Sequence, residues 1–326
     1  MTTGVADRTL RLADGRALGF RIYGDAGGTP LLFLHGTPGS RLKLVIGHDA
    51  GKELGLALVA PDRWGYGLSD APDSPSLPAF AADMAALMDH LGHRRFAVGG
   101  ISGGGPYAAA VAACLAPRVS ALALISPVGP IADAGCAASL PALQRFSFTV
   151  LPSLPTLIAG FFGIFRWTLI HAPYLAGQLA TLRGGQADKE LIARPQIGER
   201  MLGSFREGLR PGMRGPITDL ALFSRPWGVD LADIRAPARL WIGTADTAVP
   251  LDAARALAQR IGGCACEELQ GEGHFWVAAN YARVLGWIDT AVGADVTTER
   301  ERDKVGASAS AAIRQARRGP TDRTGS

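Results

Sequence analysis

The stretch Arg95-Phe96-Ala97-Val98-Gly99-Gly100-Ile101-Ser102-Gly103-Gly104-Gly105 decides the fold of this chain. A short apolar segment is followed by a glycine-rich turn and then by a segment of helical composition that starts near Pro106. The five residues from Gly100 to Gly104 match the pattern Gly-x-Ser-x-Gly, in which a sharp turn between a strand and a helix holds a serine in strained geometry. Helix amides at such a turn favour developing negative charge. The pattern predicts a nucleophile at Ser102, although glycine-rich turns also occur for purely structural reasons.

Apolar segments on both sides of this turn predict strands that alternate with helices. Besides the strand before Ser102, the predicted strands are Thr9–Leu12, Ala17–Tyr23, Leu31–Leu34, Leu56–Ala60, Ala121–Ile125, Arg239–Ile242 and Glu267–Leu269. Helical spacing or composition predicts helices over Phe80–Leu91, after Pro106, over Leu251–Ile261 and over Phe275–Val292. This alternation is typical of an α/β fold with a mostly parallel sheet, in which ligands bind beyond the carboxyl ends of the strands.

The alternation stops between residues 128 and 230, where the chain is apolar, broken by proline and glycine, and predicted to be helical. Its segment Val150–Ile170 is long enough to suggest a membrane span. Pro152, Pro155 and Arg166 interrupt that segment, and it falls between two strands of one sheet. A helical cap inserted over the sheet is therefore the better interpretation, and contact of this cap with a membrane surface is allowed but not favoured.

Composition excludes several functional classes. The 326 residues carry a net charge of +4, and the tail after Thr298 holds seven Lys/Arg and four Asp/Glu, so that the body is near neutral. We therefore expect no nucleic-acid partner. The four cysteines lack the spacing of metal ligands, and we expect neither a metal nor a cofactor. The N-terminus has no apolar segment typical of a signal peptide, which favours a cytoplasmic location.

Two further polar residues follow predicted strands late in the chain. Asp246 lies in the loop after Arg239–Ile242, and His274 lies after Glu267–Leu269. A turn aspartate or a lone histidine is more often structural, but His274 is the one histidine that follows a strand late in the chain and precedes a helix. The order Ser102, Asp246, His274 is that of the serine–acid–histidine arrangement in this fold. A serine hydroxyl needs an imidazole to take its proton, and a carboxylate orients that imidazole.

The loop after the third strand, His35-Gly36-Thr37-Pro38-Gly39, is the predicted source of one oxyanion-binding amide. Pro38 has no N–H, so we expect the amide of Thr37 to act together with the amide of Gly103. The alternative is that these residues only form a tight turn.

Four motifs resemble those of the α/β-hydrolase superfamily in their residues and in their order along the chain, over roughly residues 9 to 292. They are His35–Gly39, Asp62-Arg63-Trp64-Gly65-Tyr66-Gly67-Leu68-Ser69, Gly100–Gly104, and Asp246 with His274. We interpret Asp62 and Arg63 as residues that organise a loop. The resemblance implies an eight-stranded, mostly parallel sheet flanked by helices. The predicted domains are a core of residues 1–127 and 231–296, a helical cap of residues 128–230, and a disordered tail of residues 297–326.

The resemblance also narrows the chemistry. Haloalkane dehalogenases and epoxide hydrolases of this fold use an aspartate nucleophile, which the serine at position 102 disfavours. Proline iminopeptidases typically have a tryptophan beside the serine, where this chain has Gly103, and a second glycine in the loop after the third strand, where it has Thr37. These two differences count against peptidase activity. Perhydrolase or haloperoxidase-like, carbon–carbon hydrolase and iminopeptidase-like activities stay as alternatives, as does a non-catalytic binding protein on the same scaffold. We expect hydrolysis of a small-to-medium lipophilic carboxylic ester through an acyl-Ser102 intermediate, while the oligomeric state stays open.

Overall fold

A computed structural model of the chain describes residues 5–132, 142–182 and 184–294. In these residues eight strands form a single sheet. The strands are β1 (Arg8–Arg11), β2 (Ala17–Gly24), β3 (Thr29–Leu34), β4 (Leu56–Pro61), β5 (Phe96–Ile101), β6 (Val119–Ile125), β7 (Ala238–Gly243) and β8 (Ala265–Leu269). Their order in the sheet is β1-β2-β4-β3-β5-β6-β7-β8. The pairs β1–β2 and β2–β4 are antiparallel, and the other neighbours are parallel.

Helices connect the strands and cover both faces of the sheet. They are α1 (His48–Glu53), α2 (Leu77–His90), α3 (Gly104–Cys114), α4 (Ala142–Arg145), α5 (Pro155–His171), α6 (Pro173–Ala180), α7 (Gln186–Ala193), α8 (Pro195–Gly208), α9 (Arg214–Phe223), α10 (Leu251–Arg260) and α11 (residues 281–294). Shorter 3₁₀ turns include Arg41–Gly47, which follows β3, and Trp276–Ala279, which follows β8.

Burial of the central strands explains why their sequences are apolar without alternation. Every residue of β4, β5 and β6 is buried. One hydrophobic cluster packs α2, α3 and α10 on one face of the sheet, and a second packs α11 on the other face. Parallel strands covered on both faces need apolar side chains at successive positions. The carboxyl ends of these strands therefore meet at one edge, where the polar loops lie.

The predicted fold class and the eight strands are confirmed, with strand ends that move by one or two residues. The predicted helix Phe275–Val292 is confirmed from residue 281 onward, but its first part is not α-helical. The chain instead forms the 3₁₀ turn Trp276–Ala279 and then begins α11 at residue 281. Asn280 causes the break, because it has a non-helical φ of −131° and its side chain donates to the carbonyl of Trp276.

Between β6 and β7 the structure places α4 to α9, which we call the helical insertion (residues 142–223). A third hydrophobic cluster centred on Phe162, Phe165 and Met201 packs these helices together. Several large apolar side chains of the insertion nevertheless face outward, among them Phe161, Ile164 and Trp167, which are 57%, 66% and 57% exposed. Contact of this surface with a membrane stays a prediction.

In the part of the chain that the structure describes, no single helix is long and apolar enough to cross a membrane. The pair Phe146–Ser153 and Pro155–His171, bent by 110°, meets the same length and composition criteria when taken together. The predicted tail, residues 297–326, lies outside the described residues.

Candidate active site

Ser102 lies in the turn between β5 and α3, at the carboxyl edge of the sheet. Its φ is +51°, a left-handed conformation that is uncommon for a residue with a side chain. The turn is held by a hydrogen bond from the Ser102 amide to the Ile125 carbonyl at 2.8 Å. A Cβ at Gly100 would lie only 2.5 Å from the carbonyl oxygen of Gly104, so this position must be glycine. The glycine-rich sequence is thus required by the tight passage of the strand into the helix.

The structure brings Asp246 and His274 to this turn from the ends of β7 and β8. The Nε2 atom of His274 lies 3.0 Å from Ser102 Oγ, and its Nδ1 atom lies 2.7 Å from Asp246 Oδ2. The other carboxylate oxygen of Asp246 accepts the amides of Ala248 and Val249 at 2.9 and 3.0 Å. These bonds fix the carboxylate, which in turn fixes the imidazole ring, so that three residues far apart in sequence form one hydrogen-bonded chain.

The electrostatic surroundings of His274 favour its protonated form. Burial is the largest influence and opposes protonation, but the nearby carboxylates of Asp246 and Asp188 outweigh it and raise the pKa of His274 above its usual value. An imidazole with a raised pKa is a stronger base toward the serine hydroxyl. The site therefore holds a hydroxyl, an imidazole positioned to accept its proton, and a carboxylate positioned to stabilise the resulting cation.

Asp188 is a buried residue of this site that the sequence did not reveal. It lies on α7 of the helical insertion and is 1% exposed. Its carboxylate accepts the amide of His274 at 3.1 Å and the amide of Phe275 at 2.8 Å. No motif surrounds Asp188, and its partners lie more than eighty positions along the chain. The contact means that the helical insertion holds the loop on which His274 sits.

Thr37 and Gly103, the predicted oxyanion pair, lie side by side. A Cβ at Gly103 would stand 2.1 Å from Thr37 Oγ1, so only glycine fits against this threonine. Within the described residues, neither backbone amide donates to another group of the protein. Both residues line the same cavity as Ser102. Two unengaged amides beside a serine hydroxyl are the donors that an oxyanion requires.

A buried network below Thr37 centres on Asp219, a second residue that the sequence did not reveal. Asp219 is fully buried on α9, and its carboxylate accepts from Thr37 Oγ1 and Arg63 Nη1, both at 2.5 Å. The hydroxyls of Tyr66 and Tyr107 complete the set at 2.7 Å each. The only signal in the sequence is an acidic residue within an apolar helical stretch.

Arg63 connects this network to the loop after β3. Its guanidinium donates to the carbonyls of His35 and Gly36 at 2.9 Å each, in addition to Asp219. Asp62 accepts the amides of Arg41 and Leu68 at 2.6 and 2.8 Å. Neither Asp62 nor Arg63 lines the cavity, and their bonds fit the interpretation that they organise loops.

Above Ser102 lies a cavity of about 460 Å³ between the sheet edge and the helical insertion. Its polar side chains are few and include Ser102, His274, Thr37 and Lys43. Eight phenylalanines line the remainder, most of them from the insertion. The described residues contain no cluster of His, Cys, Asp or Glu that could hold a metal ion. The cavity therefore suits a mostly apolar molecule that presents one polar bond to Ser102.

Comparison with protein families gives a match over residues 29–278 to a family described as alpha/beta hydrolase fold. Two curated relatives are similar over shorter segments. A non-heme chloroperoxidase of Streptomyces lividans is 32% identical over 131 residues, which are 38% of this chain and 45% of that protein. A non-heme haloperoxidase of Rhodococcus erythropolis is 33% identical over 127 residues, 36% of this chain and 43% of that protein. The chain thus matches less than half the length of these relatives.

Solved structures match nearly the whole chain. A thermophilic esterase from Thermogutta terrifontis has a TM-score of 0.62 at 20% identity, covering 89% of this chain and 99% of that one. An alpha/beta hydrolase fold protein from Nakamurella multipartita has a TM-score of 0.66 at 24% identity, covering 88% and 99%. A bromoperoxidase from Bacillus anthracis has a TM-score of 0.64 at 17% identity, covering 90% and 100%. At these identities the matches show a shared fold.

Proposed function

The chain belongs to the α/β-hydrolase family of enzymes, and from the geometry of its site we propose that it hydrolyses small-to-medium lipophilic carboxylic esters through an acyl-Ser102 intermediate. The observation that carries this proposal is the hydrogen-bonded chain from Ser102 Oγ through His274 to Asp246, at 3.0 and 2.7 Å. Two amides without protein partners beside the hydroxyl support it further.

In the first half of the proposed reaction, Ser102 Oγ attacks the ester carbonyl carbon while His274 Nε2 takes the hydroxyl proton. The carbonyl oxygen becomes an oxyanion that the amides of Thr37 and Gly103 bind. Asp246 stabilises the imidazolium that forms. Collapse of the tetrahedral intermediate breaks the bond to the alcohol, whose oxygen receives the proton from His274.

In the second half, a water molecule replaces the alcohol. His274 takes a proton from this water as its oxygen attacks the acyl carbon, and then returns the proton to Ser102 Oγ as the acid leaves. The same two amides bind the second oxyanion. The overall reaction consumes one ester and one water and gives one acid and one alcohol.

The lining of the cavity supports a lipophilic substrate. Phe146 and Phe161 line the cavity and are also 42% and 57% exposed at its rim, so that the apolar lining continues onto the outer surface of the helical insertion. A substrate with an aliphatic or aromatic body would lose water from both itself and these rings on binding.

Reaction with a fluorophosphonate probe, followed by peptide mass spectrometry, tests the proposed nucleophile. We expect one adduct, on Ser102, and none in Ser102→Ala. Ser147→Ala is the matched control, because Ser147 lines the same cavity and should not affect labelling. Failure of the folded wild-type protein to label at Ser102 would refute the proposal.

Perhydrolysis is the second candidate function, and the similarity to two curated non-heme haloperoxidases favours it. Hydrogen peroxide would replace water in the second half of the reaction, and its attack on the acyl carbon would give a peroxy acid instead of an acid. Assaying peroxy acid formed from an ester in the presence of hydrogen peroxide distinguishes the two reactions. The rate of peroxy acid formation is divided by the concentration of hydrogen peroxide, and the rate of acid formation by that of water. If the first quotient is much larger than the second, perhydrolysis is the better assignment.

A further inference from the structure

Lys43 is a buried cation in the wall of the cavity for which the proposed reaction has no use. It lies on the 3₁₀ turn Arg41–Gly47 and is 7% exposed. Its side chain lines the same cavity as Ser102 and His274. Lysine is among the residues least often buried without a partner, so its placement here calls for a physical reason.

The amine of Lys43 is held between aromatic rings. Its Nζ lies 5.7 Å from the ring centre of Phe205 and 5.8 Å from that of Phe275. Contacts with ring faces at this distance stabilise a cation only modestly, and more strongly where water is excluded. This stabilisation is less than the cost of removing an ammonium group from water, so these rings alone do not balance the charge.

No carboxylate in the described part of the chain forms an ion pair with Lys43. Within the described residues its side chain forms no salt bridge and no hydrogen bond, and only its backbone amide donates, to Ser40. Acidic groups on the surrounding elements have other partners, since Asp62 and Glu207 bind Arg41 and Asp188 binds the His274 loop. The free donors of the amine therefore face the cavity.

We propose that Lys43 binds a carboxylate carried by the substrate, so that the preferred substrates are lipophilic esters with a second, ionised carboxyl group. This inference rests on the proposed ester hydrolysis and specifies its substrate class. A carboxylate in the cavity would supply both the counter-ion and the hydrogen-bond acceptor that the protein leaves out. The apolar part of the substrate, between its ester group and its carboxylate, would contact the phenylalanines of the cavity.

The charge state of Lys43 makes this subsite dependent on pH. Burial lowers the pKa of Lys43 to about 7, so the amine loses its charge as the pH rises through neutrality. Its charge in turn lowers the pKa values of His35 and His274. Neighbouring charged groups include Arg41 on the same turn, Asp62 after β4, Asp188 on α7 and Glu207 on α8. Preference for a substrate carboxylate should therefore be greatest below about pH 7 and decline above it.

Selectivity between matched esters tests the subsite. The mono-p-nitrophenyl ester of glutaric acid carries a carboxylate, and p-nitrophenyl butyrate is a neutral counterpart. In Lys43→Met, which keeps a similar length without charge, we expect the ratio of kcat/KM for the anionic over the neutral ester to fall at least tenfold. Lys52→Met removes an exposed lysine and should leave the ratio unchanged. A fall of less than threefold in Lys43→Met at pH 6.5 would overturn the proposal.

A binding measurement separates this inference from the proposed function. Decanoate and 1-decanol are titrated calorimetrically into Ser102→Ala and into Ser102→Ala/Lys43→Met. We expect decanoate to bind at least tenfold more weakly to the double variant, and the change for decanol to be smaller. Equal weakening of both ligands would overturn the carboxylate subsite. If no ester is hydrolysed by the wild-type protein, the proposed function fails, but this titration still decides the role of Lys43.

Discussion

The two walls of the cavity differ in how their side chains are held. On the sheet side, Ser102, Thr37 and His274 follow strand ends, and each has hydrogen bonds that fix its position. On the insertion side, Phe146 and Phe161 make apolar contacts and are partly exposed. A reaction needs fixed positions for the reacting groups, whereas binding of an apolar body tolerates adjustment. The difference supports the proposal that the sheet side carries out the reaction and the insertion side selects the substrate.

Two carboxylates of the helical insertion form hydrogen bonds with groups on the sheet side of the cavity. Asp188 and Asp219 belong to the helical insertion, yet their partners are the amide of His274 and the side chains of Thr37 and Arg63 on the sheet side. Both carboxylates are buried. The insertion therefore does more than cover the cavity, because it also holds the two loops that carry the proposed base and oxyanion donor.

Asp246→Asn should produce the largest effect, since it replaces the carboxylate that holds the proposed base. The amide would present an N–H group to Nδ1 of His274 and favour the wrong tautomer, and we expect kcat/KM for p-nitrophenyl butyrate to fall by about 10⁴-fold. The melting temperature shows whether the fold is retained. A loss of less than tenfold would mean that Asp246 does not orient the base.

Asp219→Asn should cause the largest loss of stability. It would leave the fully buried guanidinium of Arg63 without its counter-ion, and we expect the free energy of unfolding to fall by about 3–5 kcal/mol. The matched control is Asp252→Asn, which breaks the exposed pair with Arg255 and should cost less than about 1 kcal/mol. Urea unfolding of both variants gives the comparison, and equal losses would show that the buried network is not stabilising.

Asp188→Asn tests the contact from the insertion to the base. It removes a negative charge that raises the pKa of His274. Because the proposed base acts in its neutral form, kcat/KM falls as the pH drops through this pKa, and the variant should shift that acid limb to lower pH. Displacement of the loop should also reduce kcat/KM at pH 8 by about ten- to a hundredfold.

The control for Asp188→Asn is Asp289→Asn, an exposed aspartate on α11. Its pH profile should match that of the wild-type protein. An acid limb that moves to higher pH in Asp188→Asn, or does not move, would contradict the assigned electrostatic role.

Phe161→Ser should have the smallest effect, confined to the insertion wall. The ring is 57% exposed and lines the cavity, so its loss should raise KM for long-chain esters by roughly threefold and leave kcat nearly unchanged. Trp167→Ser is the matched control, because Trp167 is equally exposed but does not line the cavity. A large fall in kcat for Phe161→Ser would contradict the claim that the insertion side affects substrate binding only.

The sequence predicted the sheet wall far better than the insertion. Ser102, Asp246 and His274 each follow a predicted strand, and parallel strands bring such positions to one edge. Asp188 and Asp219 belong to helices whose packing depends on contacts distant in sequence, and no local pattern specifies those contacts. Asn280 shows the same limit at a smaller scale, because its non-helical backbone separates a 3₁₀ turn from α11 where the sequence predicted one helix.

The most direct test of the account uses a p-nitrophenyl dialkylcarbamate, because the carbamoyl group that it transfers to a serine is hydrolysed slowly. We predict release of one p-nitrophenol per active chain, loss of ester hydrolysis in step with that release, and a carbamoyl group on Ser102 in the peptide mass spectrum. Loss of activity with the carbamoyl group on another residue, or ester hydrolysis that persists after Ser102 is carbamoylated, would contradict the acyl-Ser102 intermediate.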